Sequence, residues 1–236
     1  MFCKRIKIIL FFCVTTFIFT GCMGNQTIDN SGKSDADLIA DMHVKKVYEH
    51  LFDLSVKLYK RNPRELKKAK IFNVKDANAR ITTLFEFKEN PDYEFEEFTG
   101  KKGVDVLNLA LDPSYQGDRV FCMMAGLIGM VRASYNNKTK IYMWNDLDPQ
   151  KLYNSARNIE ILAWKLKTVK DSKNNLLILT NSLPGEELNL SYERLFGKMI
   201  SIQDMMSQVA SGATDRSINK VVHFFVSKIL FLPVGL

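Results

Sequence analysis

The sequence predicts a mainly α-helical protein, an irregular helical bundle around one buried central helix. Three observations carry this. Apolar residues recur at three- and four-residue spacing over long windows, which is the period of a helix face. Helix punctuation is frequent: Asn62-Pro63 and Asp148-Pro149 place a small polar residue before proline, the pattern of a helix start. Val120 to Val131 is unbroken apolar sequence between Arg119 and Arg132. Its twelve residues suit a fully buried helix and fall short of the ~20 needed to span a bilayer.

Residues 1–21 read as a signal peptide. Lys4, Arg5 and Lys7 form a positive start, and Ile8 to Phe19 is an apolar run of twelve, the length of a secretory h-region. Thr20 and Gly21 are the small residues before the cut, and Cys22 follows at once. Phe19-Thr20-Gly21-Cys22 resembles the lipobox of bacterial lipoproteins, with phenylalanine where leucine is usual. The resemblance implies that the Cys22 thiol carries a diacylglycerol and becomes the acylated first residue of the mature chain. It also implies a bacterial envelope location. Met23 stands where an aspartate would retain a lipoprotein in the inner membrane, so the outer membrane is favoured in a Gram-negative cell. Residues 22–34 are then the lipidated cysteine and a polar linker spanning roughly 20 Å.

The body, 35–236, reads as a single helical domain. Ser34 followed by Asp35 and Asp37 signals a helix start. Leu38, Met42, Val47, Leu51, Leu54 and Leu58 form its inner stripe, and Asn62-Pro63 ends it and starts another helix. Lys57, Lys60, Arg61, Arg64, Lys67 and Lys68 make a basic stretch suited to a solvated face, or to acidic head groups or an acidic partner. Phe85-Glu86-Phe87 and Tyr93-Glu94-Phe95 alternate around a Glu89-Asn90-Pro91-Asp92 turn signal, compatible with a short β-hairpin near 83–98. Asp118 opens the central helix, where Ala125, Gly129 and Ala133 are spaced as a flat seam for a close neighbour.

Asp148-Pro149 starts the helix bearing Leu152, Ala156, Ile159, Ala163 and Leu166. Leu176 to Thr180 reads as a short strand or a buried connector. Ser191 is the expected cap of a helix with Leu195, Met199, Ile202, Met206 and Val209 inward, closed by Gly212. A last helix is expected from Thr214-Asp215 toward Leu232, ended by Pro233.

Chemistry is sparse. His43 and His50 lie two turns apart, about 10 Å along a helix, and no metal-ligand spacing such as Cys-x-x-Cys or His-Glu-x-x-His occurs. No metal or other cofactor is expected. Cys122 lies in the most apolar stretch and reads as a buried small hydrophobe, not a reactive thiol. No Gly-x-Ser-x-Gly elbow or phosphate-binding glycine loop is present. Asn154, Arg157, Asn158 and Glu160 interrupt an apolar helix, and Arg157 and Glu160 are spaced to pair. That pair reads first as a packing device and second as the lining of a cleft for a charged ligand.

The chain has 236 residues, 46% hydrophobic and 25% charged, with a formal charge of +7. Three of those charges lie in the leader, leaving +4, too mild a surplus to argue for nucleic acid. Of four cysteines only Cys122 lies in the body, so the core must hold without an internal disulfide. The expected role is a non-enzymatic structural or partner-binding component, anchored to the membrane by lipid and meeting a protein partner in the envelope. The alternative is an envelope hydrolase or small-ligand carrier using a polar cleft around Arg157 and Glu160.

Overall fold

The computed structural model describes residues 35–69, 76–86, 95–138, 147–183, 185–220 and 230–234. The chain divides between Ser34 and Asp35. Residues 1–34, with Cys22 and the expected Ser34 cap, lie outside the described residues.

The body is all-α among the described residues, with seven α-helices and a single isolated bridge, Lys170 to Leu176. The helices are α1 (Asp35–Arg61), α2 (Pro63–Lys68), α3 (Ala77–Glu86), α4 (Gly103–Ala110), α5 (Arg119–Ser134), α6 (Pro149–Thr168) and α7 (Ser191–Thr214). None of them is long and apolar enough to cross a membrane.

The apolar run forms the central helix. In α5 every residue except Gly129 and Ala133 is buried, and α1, α3, α4 and α6 all pack against it. Asp118 caps it, its carboxylate accepting from the Phe121 N–H at 3.0 Å. The close approach is made at Gly126 as well as at Gly129, and more tightly at Gly126. A Cβ at Gly126 would stand 2.7 Å from the Leu107 nitrogen of α4, whereas one at Gly129 would meet Gly103 at 3.4 Å. The seam is therefore set three residues along the face from the expected centre.

Helix α1, about 40 Å long by its residue count, runs past both α5 and α7. Val47, Leu51, Leu54 and Leu58 are buried as expected, but Met42 is 62% exposed. Helix α1 ends at Arg61 and α2 starts at Pro63. In α6, Asp148 caps the first turn, accepting from Gln150 and Lys151. For α7 the expected serine cap is not used. Asn189 accepts from the Ser191 N–H at 3.0 Å, and the Ser191 hydroxyl instead accepts from Lys57 Nζ at 3.2 Å. Helix α7 passes Gly212 and stops at Thr214, with Asp215 left-handed. Val209 faces outward.

Two expected elements take another form where they are described, and one open alternative is decided. Thr82 to Glu86, the first arm of the expected hairpin, is the end of helix α3, and Glu96–Phe98 is a 3₁₀ turn. Residues 87–94 lie outside the described residues. Asp76 explains the helix: its carboxylate accepts from the Ala79 N–H at 2.8 Å, and Ile81 and Leu84 then fall on the buried face. Leu176 to Thr180 is a connector, with Ile178 and Thr180 buried. Residues 216–220 are not helical, and 221–229 lie outside the described residues. The tail at 230–234 is held by α6: Asn158 exchanges two hydrogen bonds with Leu232, and Asn154 donates to the Pro233 carbonyl at 2.8 Å. These asparagines are the polar interruptions of α6, and they bind backbone.

Candidate functional site

A cleft of about 1150 Å³ lies where three separate stretches of chain meet. Arg61, Arg64 and Lys68 come from the α1–α2 corner. Lys167, Lys170 and Lys173 come from the end of α6 and the turn after it. Pro113, Tyr115, Gln116 and Arg119 close it on the α4–α5 side. The floor and inner wall include Leu176, Leu177, Leu179 and Leu183.

Its walls are fixed by hydrogen bonds that the backbone could not make alone. The Asn62 side chain accepts from the Leu179 N–H at 2.7 Å and donates to the Leu179 carbonyl at 2.8 Å and to the Leu58 carbonyl at 2.9 Å. It thus caps α1 and ties the connector to the corner. Arg119, which is 5% exposed, donates to the carbonyls of Ala110, Asp112, Pro113 and Tyr115. One guanidinium therefore shapes the whole α4–α5 loop. Its backbone N–H also donates to Glu65 at 2.8 Å.

The electrostatic balance of the cleft is positive. Seven Lys and Arg side chains line it against two acids, Glu65 and Asp171. Both acids are already engaged. Glu65 accepts from Lys68 at 2.7 Å and from the Arg119 backbone. Asp171 accepts from the backbone N–H groups of Asn175 and Lys173, each at 2.8 Å. These hydrogen bonds, the Asn175 one first, hold the Asp171 carboxyl below its ordinary range. Arg61 pairs with Glu186 and Lys167 with Glu193 at 2.8 Å. Arg64 and Lys173 have no ion pair among the described residues. The lining has no histidine or cysteine, and what it offers is a group of cations beside apolar side chains.

Arg157 and Glu160 lie elsewhere and do not line this cleft. Arg157 Nη1 is 3.1 Å from Glu160, and Nη2 is 2.6 Å from Asp204 of α7. The pair thus extends into a bridge between two packed helices. Sequence reasoning named Arg157 and Glu160 and missed Asp204, which carries no local signal.

A second ionic cluster is deeper. Arg80 donates to both oxygens of Glu97 at 2.6 and 2.7 Å, and its Nε lies 3.5 Å from Asp118. The Tyr59 hydroxyl donates to Asp118 at 2.7 Å. The Arg80 guanidinium lies over the Phe121 ring, 3.4 Å from its centroid. Burial opposes the Arg80 charge, but Glu97 and then Asp118 outweigh it and raise its pKa. Burial and the neighbouring Asp118 charge push the Tyr59 hydroxyl well above its ordinary range. Every charge here has a partner, the condition for a structural network.

Cys122 is fully buried, and burial pushes its thiol up to about 12. Among the described residues no group of three or more His, Cys, Asp or Glu is placed to hold a metal. Compared with known proteins, the chain matches no family model, no curated protein and no solved structure.

Proposed function

We propose that this chain is a lipid-anchored component of a bacterial envelope, held through Cys22, whose helical body binds a partner or ligand instead of catalysing a reaction. The observation that carries the reading is Phe19-Thr20-Gly21-Cys22 directly after a basic start and a twelve-residue apolar run. Two acyl chains give stable anchoring at roughly 0.8 kcal/mol per buried methylene. With Met23 next to the cysteine, the outer membrane is the favoured site in a Gram-negative cell. A binding role is supported by a cleft lined by cations beside leucines.

Metabolic labelling with palmitate, followed by mass measurement of the mature amino terminus, tests the anchor. The wild-type chain should take up label and begin at an acylated Cys22, and Cys22→Ser should lose both label and processing. A mature chain with an unmodified first residue overturns the reading.

A further inference from the structure

The cations of the cleft come from three separate stretches of sequence yet line one space. Arg119 is turned to main-chain carbonyls and Arg61, Lys68 and Lys167 are ion-paired, so Arg64, Lys170 and Lys173 carry the charge the cleft offers. A solvated basic helix face would have no reason to be completed by a second basic strip from another element. Glu65 offsets Lys68, and Asp171 is held by backbone N–H groups, so the balance within the lining stays positive. Like charges held together in one concavity repel, and an anion that enters relieves that repulsion. Asn62 and Arg119 hold the backbone of two walls in place, so the backbone there needs no ordering when a ligand enters.

The second character of the cleft narrows the ligand. Leu176, Leu177, Leu179 and Leu183 line it beside the cations, and none of the four is fully buried. A purely ionic ligand such as free phosphate would leave these side chains wet. A ligand with an anionic head and an apolar portion would satisfy both halves. The forked donors of arginine and the point charges of lysine both suit phosphate oxygens. We infer that this cleft binds a phosphate-bearing amphiphile, with Arg64 and Lys173 meeting the phosphate from opposite walls and the leucines meeting its apolar part. An anionic phospholipid has this chemistry. The inference goes beyond lipid anchoring and does not depend on it, because the cleft lies entirely within the body.

The test uses the full chain placed with lipid nanodiscs of pure phosphatidylcholine or of phosphatidylcholine with phosphatidylglycerol. The acetylation rate of each lysine is read by mass spectrometry. Lys170 and Lys173 should react several-fold more slowly with phosphatidylglycerol present, while Lys45 and Lys46, on the outer side of α1, should not change. Arg64→Ser should weaken that protection about fivefold, the equivalent of losing one cation near an anionic surface, and Arg194→Ser should leave it intact. Equal slowing at Lys45 and Lys46 would mean diffuse surface attraction and would overturn the site. Equal protection by glycerol 3-phosphate would overturn the role of the leucines, and protection by polyglutamate alone would mark an acidic-protein site instead. The mass of the amino terminus in the same samples reports lipidation at Cys22 separately, so failure of the anchor and failure of the cleft are told apart.

Discussion

Arg80 and Arg157 each face two carboxylates, but in opposite settings. The Arg80 side chain is 3% exposed, and its partner Asp118 is fully buried. Arg157 is 18% exposed, with Glu160 and Asp204 at 41% and 31%. Around Arg80 each remaining polar atom is answered within the protein, by Glu97, Asp118 and Tyr59. Around Arg157 the two carboxylates stay open to solvent, although the guanidinium Nε is itself buried with no hydrogen-bond partner among the described residues. The lesson is that the number of ion pairs says little. What matters is whether a partner left behind can reach water.

The sharpest way to break this comparison is to remove the buried arginine. Arg80→Met leaves Glu97 and Asp118 facing each other with no cation. The expected loss is about 3–5 kcal/mol, or roughly 6–20 °C in the thermal midpoint for a chain of this size. Circular dichroism melting measures it, and a loss as small as that of a surface pair would erase the distinction.

The glycines extend the contrast from charge to packing. On α5, Gly126→Ala drives a methyl group into the α4 backbone and should cost about 1–3 kcal/mol. On α7, Gly197 faces open space, so Gly197→Ala should gain about 0.5–1 kcal/mol from helix propensity. Urea midpoints for the two variants should move in opposite directions. If both fell, the α7 surface would be as tightly covered as the centre.

Arg157→Ala comes next. The expected loss is below about 1 kcal/mol and should shrink with added salt, as for exposed pairs. A loss as large as that of Arg80→Met, or one insensitive to salt, would show that the α6–α7 bridge is effectively dry.

The smallest effect concerns pH, at two half-buried histidines of α1. Burial lowers the pKa of His43 and His50 from 6.5. A depressed folded value means that the unfolded chain binds the proton first. The stability is therefore complete above pH 6.5 and declines as pH falls below it. Replacing both histidines with glutamine should flatten the melting curve between pH 7 and 5, leaving the fall at lower pH to the carboxylates. An unchanged slope would remove these histidines from the account.

Local signals made much of the fold readable. Asp118 before an apolar run, Asp148-Pro149 and Asn62-Pro63 each mark a boundary within a few residues, and each boundary forms there. Short period-two alternation was weaker evidence. Phe85 and Phe87 around Glu86 fit a strand, but Ile81 and Leu84 place the same stretch on a helix that Asp76 starts. Phase around a helix was also hidden. Gly126 and Gly129 share a face, and only the position of α4 decides which one is crowded. The basic run at Arg61, Arg64 and Lys68 was visible as half of a cleft. Its other half, Lys167 to Lys173, is brought there by the path of α6, which no local pattern encodes. Asp204 escaped notice for the same reason.

Arg119 has a consequence for how this protein can change over time. Its guanidinium donates to main-chain oxygens of the stretch from Ala110 to Tyr115, and beyond them it lies over the Tyr115 ring, 5.7 Å from its centroid. Main-chain oxygens are the same whichever amino acid carries them. Outside Tyr115 the loop can therefore drift in sequence, altering what it displays at the cleft mouth, while its path stays put. The arginine has no such freedom, since lysine has a single ammonium and cannot serve four separated acceptors. The scaffold at this edge is thus encoded by one side chain, and its neighbours are left open to selection for whatever the cleft must recognise.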